Sequence, residues 1–390
     1  MSTHLDLTDI EREISMTDMK DDLMVYCYEE CNDESNPRIK ECRGIVTDHS
    51  GNIVLKTFGY TPEYPCIDTY NSMFNDMFPD IKNYKIFDSQ EGCLIRMFYH
   101  NEKWYITTHK KLDAYRSKWS SKESFGEMFE SALYVYYKEN SPLQLRIGSN
   151  LTSSKDILDK FKDSLDKSRS YLFLVRNTIE NRIVCAPPAD YTLYYTGSFL
   201  KNGTDFNFVN VDIDTPTEHK FDTVEQMMDY VKNCDPYQLQ GLMILTPNPI
   251  KIINETYWDL FYLRNNEPSV KFRYLHIRTT SDVDKFRQLY PEHKESFDKY
   301  EEILLGVARS IHECYIRRFI RKEFCTVPQE QYTIVQQCHK YYIDNISNRN
   351  AIVTPSVVTG ILNQQDPTVL NKIIRKQLFD NAKNVAPESA

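Results

Sequence analysis

Hydrophobic positions change their period along this chain, and the changes outline its parts. Up to about residue 40, Leu5, Leu7, Ile10, Ile14 and Met16 make a ragged apolar stripe among acidic residues, which reads as an amphipathic helix or a mobile tail. From Glu41 the pattern shortens to β-like runs. GIVTDHSGNIVLKTF places two apolar stretches around His49-Ser50-Gly51-Asn52, and CLIRMFY and KWYITTH flank His100-Asn101-Glu102; both are hairpin signals. Further strands are expected at YLFLVR, RIVCA, YTLYYTGSF, GLMILT and IKIIN. Residues 124–138 have helical spacing, with Phe125, Met128, Phe129, Ala132, Leu133 and Tyr136 on one face, and 222–232 form a shorter helix. Hairpins interrupted by helices predict an α+β fold with antiparallel sheets rather than alternating βαβ units. Beyond about Arg273 the pattern turns helical. After Pro291, the residues Phe297, Tyr300, Leu304, Val307, Ile311 and Cys314 recur at steps of three and four, as one long amphipathic helix would require. Its last turn carries Arg317, Arg318, Arg321 and Lys322, which complement the negative end of the helix dipole. More helices are expected at 328–344, 355–362 and 368–379. The expected parts are thus a leader (1–40), an α+β domain (41–272), an all-α C-terminal domain (273–380) and a polar tail (381–390).

Composition narrows the class. With 390 residues and 41% hydrophobic content, the chain is a folded protein and not a low-complexity or collagen-like one. It shows no secretory signal, and no apolar window approaches the ~20 residues of a spanning helix, so an intracellular protein without a membrane role is expected. The ten dispersed cysteines fit reduced, mostly buried thiols. Cys27, Cys31 and Cys42 with His49 lack the paired spacing of a zinc site, and no metal is expected there. The net charge of −9 is misleading, because residues 1–41 hold twelve acids against four bases and supply −8 of it. The remaining chain is nearly neutral, with basic clusters at 109–118 and 317–322. Trp104, Tyr105, His109, Lys110, Lys111, Tyr115, Arg116, Lys118 and Trp119 interleave bases with aromatics, as a surface that stacks nucleobases and neutralises phosphates would. A strand with buried aromatics and solvated lysines produces the same alternation. The acidic leader either covers this surface or is a solubilising tail; as a tail, its removal would leave RNA binding undiminished.

Seven segments carry a family resemblance. Glu41-Cys42-Arg43-Gly44-Ile45-Val46, Asp88-Ser89-Gln90-Glu91-Gly92-Cys93-Leu94 and Thr108-His109-Lys110-Lys111 come first. Phe173-Leu174-Val175 with Asn181-Arg182-Ile183-Val184, then Gln240-Gly241-Leu242-Met243, and Ile250-Lys251-Ile252-Ile253 follow. In this order they resemble the motifs of phage-type RNA ligases. The resemblance implies a ligase-like nucleotidyltransferase domain in which a lysine would attack the α-phosphate of ATP while acids and further lysines hold Mg2+ and the phosphates. Here the nucleophile slot is Ser89, the acid of the third motif falls at Val175, the glutamate of the fourth at Gln240 and the second lysine of the fifth at Ile253. Glu91, Gly92 and Lys251 survive in kind. A serine cannot form the phosphoramidate, so the resemblance implies a non-catalytic descendant that needs no cofactor. Nucleotide or phosphate contacts would fall to Arg43, Glu91, Gly92, Lys110, Lys111 and Lys251, and RNA contacts to Arg116, Lys118, Arg317, Arg318, Arg321 and Lys322. One alternative stays open: Lys111-Leu112-Asp113-Ala114 is a near miss to K-x-D-G, with alanine hindering the close backbone approach that glycine permits. It would make Lys111 a displaced nucleophile of an active ligase using ATP and Mg2+.

A second resemblance rests on KIFDSQEGCLIRMFYHNEKWYITTHKKLDAYRSKW and YPEHKESFDKYEEILLGVARSIHECYIRRFIRK. These runs are similar to the immediate-early infected-cell protein family of iridoviruses. The resemblance implies early expression in an infected host cell and supplies no biochemical activity; RNA or a viral or host protein is the partner expected from the residues themselves. A structural or assembly protein without any ligand is the third possibility it leaves open.

Overall fold

The computed structural model describes residues 4–139, 153–177, 181–201, 203–245, 248–346 and 352–385. The chain divides into two compact units, Met1–Tyr262 and Leu263–Ala390.

The first unit opens with β1 (Ile14–Lys20) and β2 (Leu23–Tyr28), followed by α1 (Pro37–Glu41), β3 (Arg43–Asp48) and β4 (Ile53–Leu55); the strands form one antiparallel sheet in the order β1-β2-β3-β4. The acidic leader is therefore neither a helix nor a tail. Leu23, Val25 and Cys27 alternate inward along β2, and Asp21 and Asp22 both take positive φ (53° and 64°), the two-residue turn whose twist suits a hairpin. Because β2 lies between β1 and β3, deleting residues 1–40 would strip two strands from a sheet and not merely remove surface charge.

The other strands are β5 (Glu63–Pro65), β6 (Lys85–Ser89), β7 (Cys93–His100), β8 (Lys103–Thr107), β9 (Arg169–Arg176), β10 (Thr192–Leu200), β11 (Glu218–His219), β12 (Gly241–Leu245) and β13 (Ile250–Ile253). They build a second sheet, β10-β9-β7-β8, and a third, β11-β6-β12-β13-β5, antiparallel except where β13 meets β5. Both sequence-predicted hairpins are present, as β3–β4 and β7–β8. The RIVCA segment is not a strand. β9 takes β10 as its partner instead, Pro187 and Pro188 follow closely, and residues 183–185 turn their backbone N–H groups toward a carboxylate described below.

Helices cover the sheets. On the third sheet lies α2 (Asn71–Met77), and on the second lie α3 (Phe125–Glu139) and α4 (Ser154–Ser164). Ser124 and Glu127 start α3 as a reciprocal capping box: Glu127 N–H donates to Ser124 Oγ at 3.2 Å and Ser124 N–H to Glu127 Oε2 at 2.7 Å. Phe129, Leu133 and Phe161 then pack on Ile95, Met97, Phe173 and Tyr195. Against the third sheet, Phe74 of α2 and Met227 and Val231 of α5 (Val224–Asn233) pack on Ile86, Leu242 and Ile252. The first sheet meets the second through Val25, Val46 and Leu55 against Phe98 and Tyr105. The helix α6 (Glu255–Arg264) follows β13 directly.

The second unit is helical, as its periodicity predicts: α7 (Val270–Ile277), α8 (Val283–Leu289), α9 (Lys294–Tyr315), α10 (Gln329–Asp344), α11 (Pro355–Asn363) and α12 (Pro367–Val385). Phe297, Leu304, Val307, Ile311 and Cys314 form the buried face of α9. Its basic end departs from the expected α turn, because Ile316–Ile320 winds as a π turn.

Candidate functional site

Two cavities flank the turn from β6 into β7. The larger, about 360 Å³, is bordered by Glu91, Lys110, Trp119, Val175, Asn177 and Arg182; the smaller, about 230 Å³, opens between the second and third sheets. Gly92, Leu94 and His109 belong to both.

The register of the third sheet assembles the polar floor of the smaller cavity. β6 ends at Ser89 opposite Gly241 of β12, so Gln240 comes to lie beside Ser89. Gln240 N–H donates to the Ser89 carbonyl at 3.0 Å, and Ser89 Oγ donates to Gln240 Oε1 at 2.9 Å. Gln240 Nε2 donates to the Tyr257 hydroxyl at 2.9 Å, which donates in turn to Glu91 Oε1 at 2.8 Å. Glu91 also accepts the backbone N–H groups of Val184 (2.7 Å), Cys185 (2.9 Å) and Ile183 (3.3 Å). Burial, and then the Glu91 carboxylate, push the Tyr257 hydroxyl far above its ordinary range, so it stays a donor. Gly241 is required here: it takes φ +148°, and a Cβ on it would stand 2.1 Å from the Ile252 carbonyl.

The opposite wall depends on Arg96, which is wholly buried in β7. It donates to the carbonyls of Gly44 (2.5 Å) and Thr108 (2.6 Å), tying the Arg43-Gly44 strand to the Thr108-His109 segment. Burial, followed by the charges of Arg43 and Arg96, pushes the His109 imidazole well below 6.5 and keeps it neutral. Arg43 reaches the Gly59 carbonyl and Thr61 Oγ1, both at 3.4 Å. Lys251 is tied to Glu63 at 2.7 Å, and Asp88 lies 2.8 Å from His219 Nε2 and accepts from the Tyr230 hydroxyl at 3.1 Å.

The structure thus brings Arg43, Ser89, Gly92, Gln240 and Lys251 to one cavity and Glu91, Gly92, Lys110 and Val175 to the other. Ile253 is buried in β13 between Gly241 and Pro65. Lys111 borders neither cavity. Its Nζ donates to the Thr17 carbonyl at 3.3 Å and stands 3.7 Å from Asp18 Oδ1, and Arg116 lies 3.6 Å from the same oxygen. Lys118 donates to the Lys122 carbonyl. The remaining basic candidates lie in the second unit: Arg317 pairs with Glu323 at 3.1 Å, Arg318 stacks 4.9 Å from the Tyr332 ring centre, and Arg321 and Lys322 are exposed. Sequence reasoning missed Arg96, Tyr257, Thr57 and Thr196. For Arg96 a signal existed, as the lone charge inside the apolar run CLIRMFY.

A Mg2+-bound triphosphate does not suit this donor set. The two carboxylates facing the smaller cavity, Glu63 and Asp88, are already engaged, and the positions expected to complete the site are Ser89, Gln240 and Ile253. Among the described residues no group of three or more His, Cys, Asp or Glu comes together to hold a metal ion, and no helix is long and apolar enough to cross a membrane.

These features define a mixed α+β chain in which Arg43, Ser89, Gln240 and Lys251 line one cavity and Glu91, Lys110 and Val175 an adjoining one. In sequence it is similar to the ICP-46 proteins of iridoviruses. It is 27% identical over 388 residues to the immediate-early protein ICP-46 homolog of Invertebrate iridescent virus 6, covering 94% of this chain and 83% of that protein. It is 30% identical over 311 residues to the homolog of Invertebrate iridescent virus 3 (77% of this chain, 64% of that one), and 24% identical over 199 residues to ICP-46 of Frog virus 3 (48% of each). No family model matches. Solved structures similar to it include one described as an ATP-dependent DNA ligase from Aquifex aeolicus, with TM-score 0.41 and 12% identity over 85% of this chain and 78% of that one. An archaeal ATP-dependent RNA ligase aligns with TM-score 0.36 and 8% identity over 72% and 65%.

Proposed function

We propose that this chain is a viral immediate-early protein whose first unit is a non-catalytic, ligase-like binder of nucleotide or RNA. The observation that carries this reading is Ser89. It stands where the ligase motif would place a lysine, and its hydroxyl is spent on Gln240 in a relay that continues through Tyr257 to Glu91. No amine is offered at that point for a nucleotide to be transferred to. Lys111, the alternative nucleophile, is engaged by Thr17 and Asp18 and borders neither cavity, which supports the non-catalytic reading further. Arg43 and Lys110 face the cavities without a carboxylate partner among the described residues, as phosphate contacts would.

Incubation of the full chain with α-labelled ATP or GTP and Mg2+ tests the reading. No denaturation-stable adduct is expected. An adduct that disappears in Lys111→Ala would establish the active-enzyme alternative. RNA binding measured across a salt series should weaken linearly in log–log form as counterions are no longer released. Absence of RNA and nucleotide binding at low salt would leave a structural or assembly role.

A further inference from the structure

The smaller cavity holds two polar groups that the relay leaves unused. Thr57, just beyond β4, is 7% exposed, and its Oγ1 has no hydrogen-bond partner; Thr196 Oγ1 is buried and unpartnered as well. Both residues line this cavity. Thr196 sits where the β10–β9 register slips between Tyr195 and Gly197, a bulge of the kind that re-aims a side chain. Phe58, Phe87 and Phe208 supply an apolar wall beside them, with the Phe87 and Phe208 rings 5.0 Å apart. Buried hydroxyls without partners beside aromatic rings suit a planar ligand with polar edges.

The charges limit what that ligand can carry. Lys251 is cancelled by Glu63 at 2.7 Å, His109 is neutral, and Asp88 contributes a carboxylate, so Arg43 is the lining cation left without a carboxylate among the described residues. One guanidinium matches one phosphate, not three. A volume of about 230 Å³ also falls below the ~300–1,000 Å³ usual for cofactor-sized ligands.

Building on the proposed binding role, we propose that this cavity takes a nucleoside bearing at most one phosphate, with Thr57 and Thr196 bonding polar groups of the base or sugar and Arg43 the phosphate. That unit is either a free mononucleotide or one nucleotide of an RNA strand.

Calorimetric titration of the full chain with the four nucleoside 5′-monophosphates, the matching triphosphates with and without Mg2+, and a short single-stranded oligoribonucleotide tests this. At least one monophosphate should bind as tightly as its triphosphate, with no dependence on Mg2+. Thr57→Val and Thr196→Val should each weaken that binding about tenfold, the worth of one hydrogen bond to a buried group, while leaving the melting temperature unchanged or raised. An oligoribonucleotide that displaces the monophosphate at lower concentration assigns the site to an RNA strand; failure to displace it assigns a free mononucleotide. A triphosphate bound tenfold tighter than its monophosphate, or wild-type binding by both valine variants, overturns the inference while a non-catalytic nucleotide binder survives. Lack of binding in every arm overturns that reading too.

Discussion

Glu91, at the turn into β7, and Arg96, in its middle, are both withdrawn from water, at 6% and 0% exposure, yet neither forms an ion pair among the described residues. Glu91 is surrounded by three backbone N–H groups and a tyrosine hydroxyl, and Arg96 by two backbone carbonyls. Removing an ion from water costs several kcal/mol, which only well-placed partners offset. Here most of the partners are peptide dipoles, so each charge holds a particular stretch of backbone in place. Glu91 holds 183–185, and Arg96 holds the backbone at Gly44 and Thr108. Glu91 itself lines the larger cavity, whereas Arg96 acts from behind, through the backbone beside Arg43 and His109. At these two positions interior charge is spent on holding backbone in place.

The largest expected effect is at Arg96. Arg96→Met keeps the stem but removes both charged hydrogen bonds and leaves two buried carbonyls unpaired. It should cost about 3–5 kcal/mol in urea denaturation, and a loss below ~1 kcal/mol would show that the buried cation is no scaffold. Tyr257→Phe comes next. Loss of the hydroxyl that links Gln240 to Glu91 should cost about 1–2 kcal/mol. Since Arg96 and Tyr257 share no hydrogen-bond partner, the double variant should be additive; coupling would mean the two walls are one network. The smallest effect concerns pH. His109 is depressed when folded, so below 6.5 the unfolded chain takes up a proton that the folded one refuses, and stability falls as pH drops through that value. The contribution is bounded at about 1.4 kcal/mol per pH unit, and His109→Gln should flatten the acid side of a stability-versus-pH curve.

The β3–β4 and β7–β8 hairpins and the helical second unit were legible because their apolar periods are clean and their turns contain Asn or Gly. β1–β2 was not, although its turn has the same geometry. His100-Asn101-Glu102-Lys103 and Lys20-Asp21-Asp22-Leu23 both place two residues at positive φ, but Asp-Asp within an acid-rich stretch looks like solvated charge. In the site, the motifs singled out Ser89, Val175, Gln240, Lys251 and Ile253, of which the structure brings Ser89, Gln240 and Lys251 to one cavity, Val175 to the other and Ile253 to neither. Thr57 and Thr196 gave no such sign, since an unpartnered hydroxyl is a property of packing and a bulge is set by the neighbouring strand.

The third sheet sets the order in which these parts can come into being. The first sheet is a meander within residues 14–55, closed by neighbours in sequence, whereas β13 pairs Lys251 with Glu63 across 188 residues. Local pairings close early and distant ones late, because the chain entropy of the intervening loop must be overcome first. During synthesis the leader hairpin can therefore form while the cleft does not yet exist. A nascent chain halted before residue 250 would carry the first sheet without the smaller cavity, whose walls are complete only once the whole first unit has been made and folded.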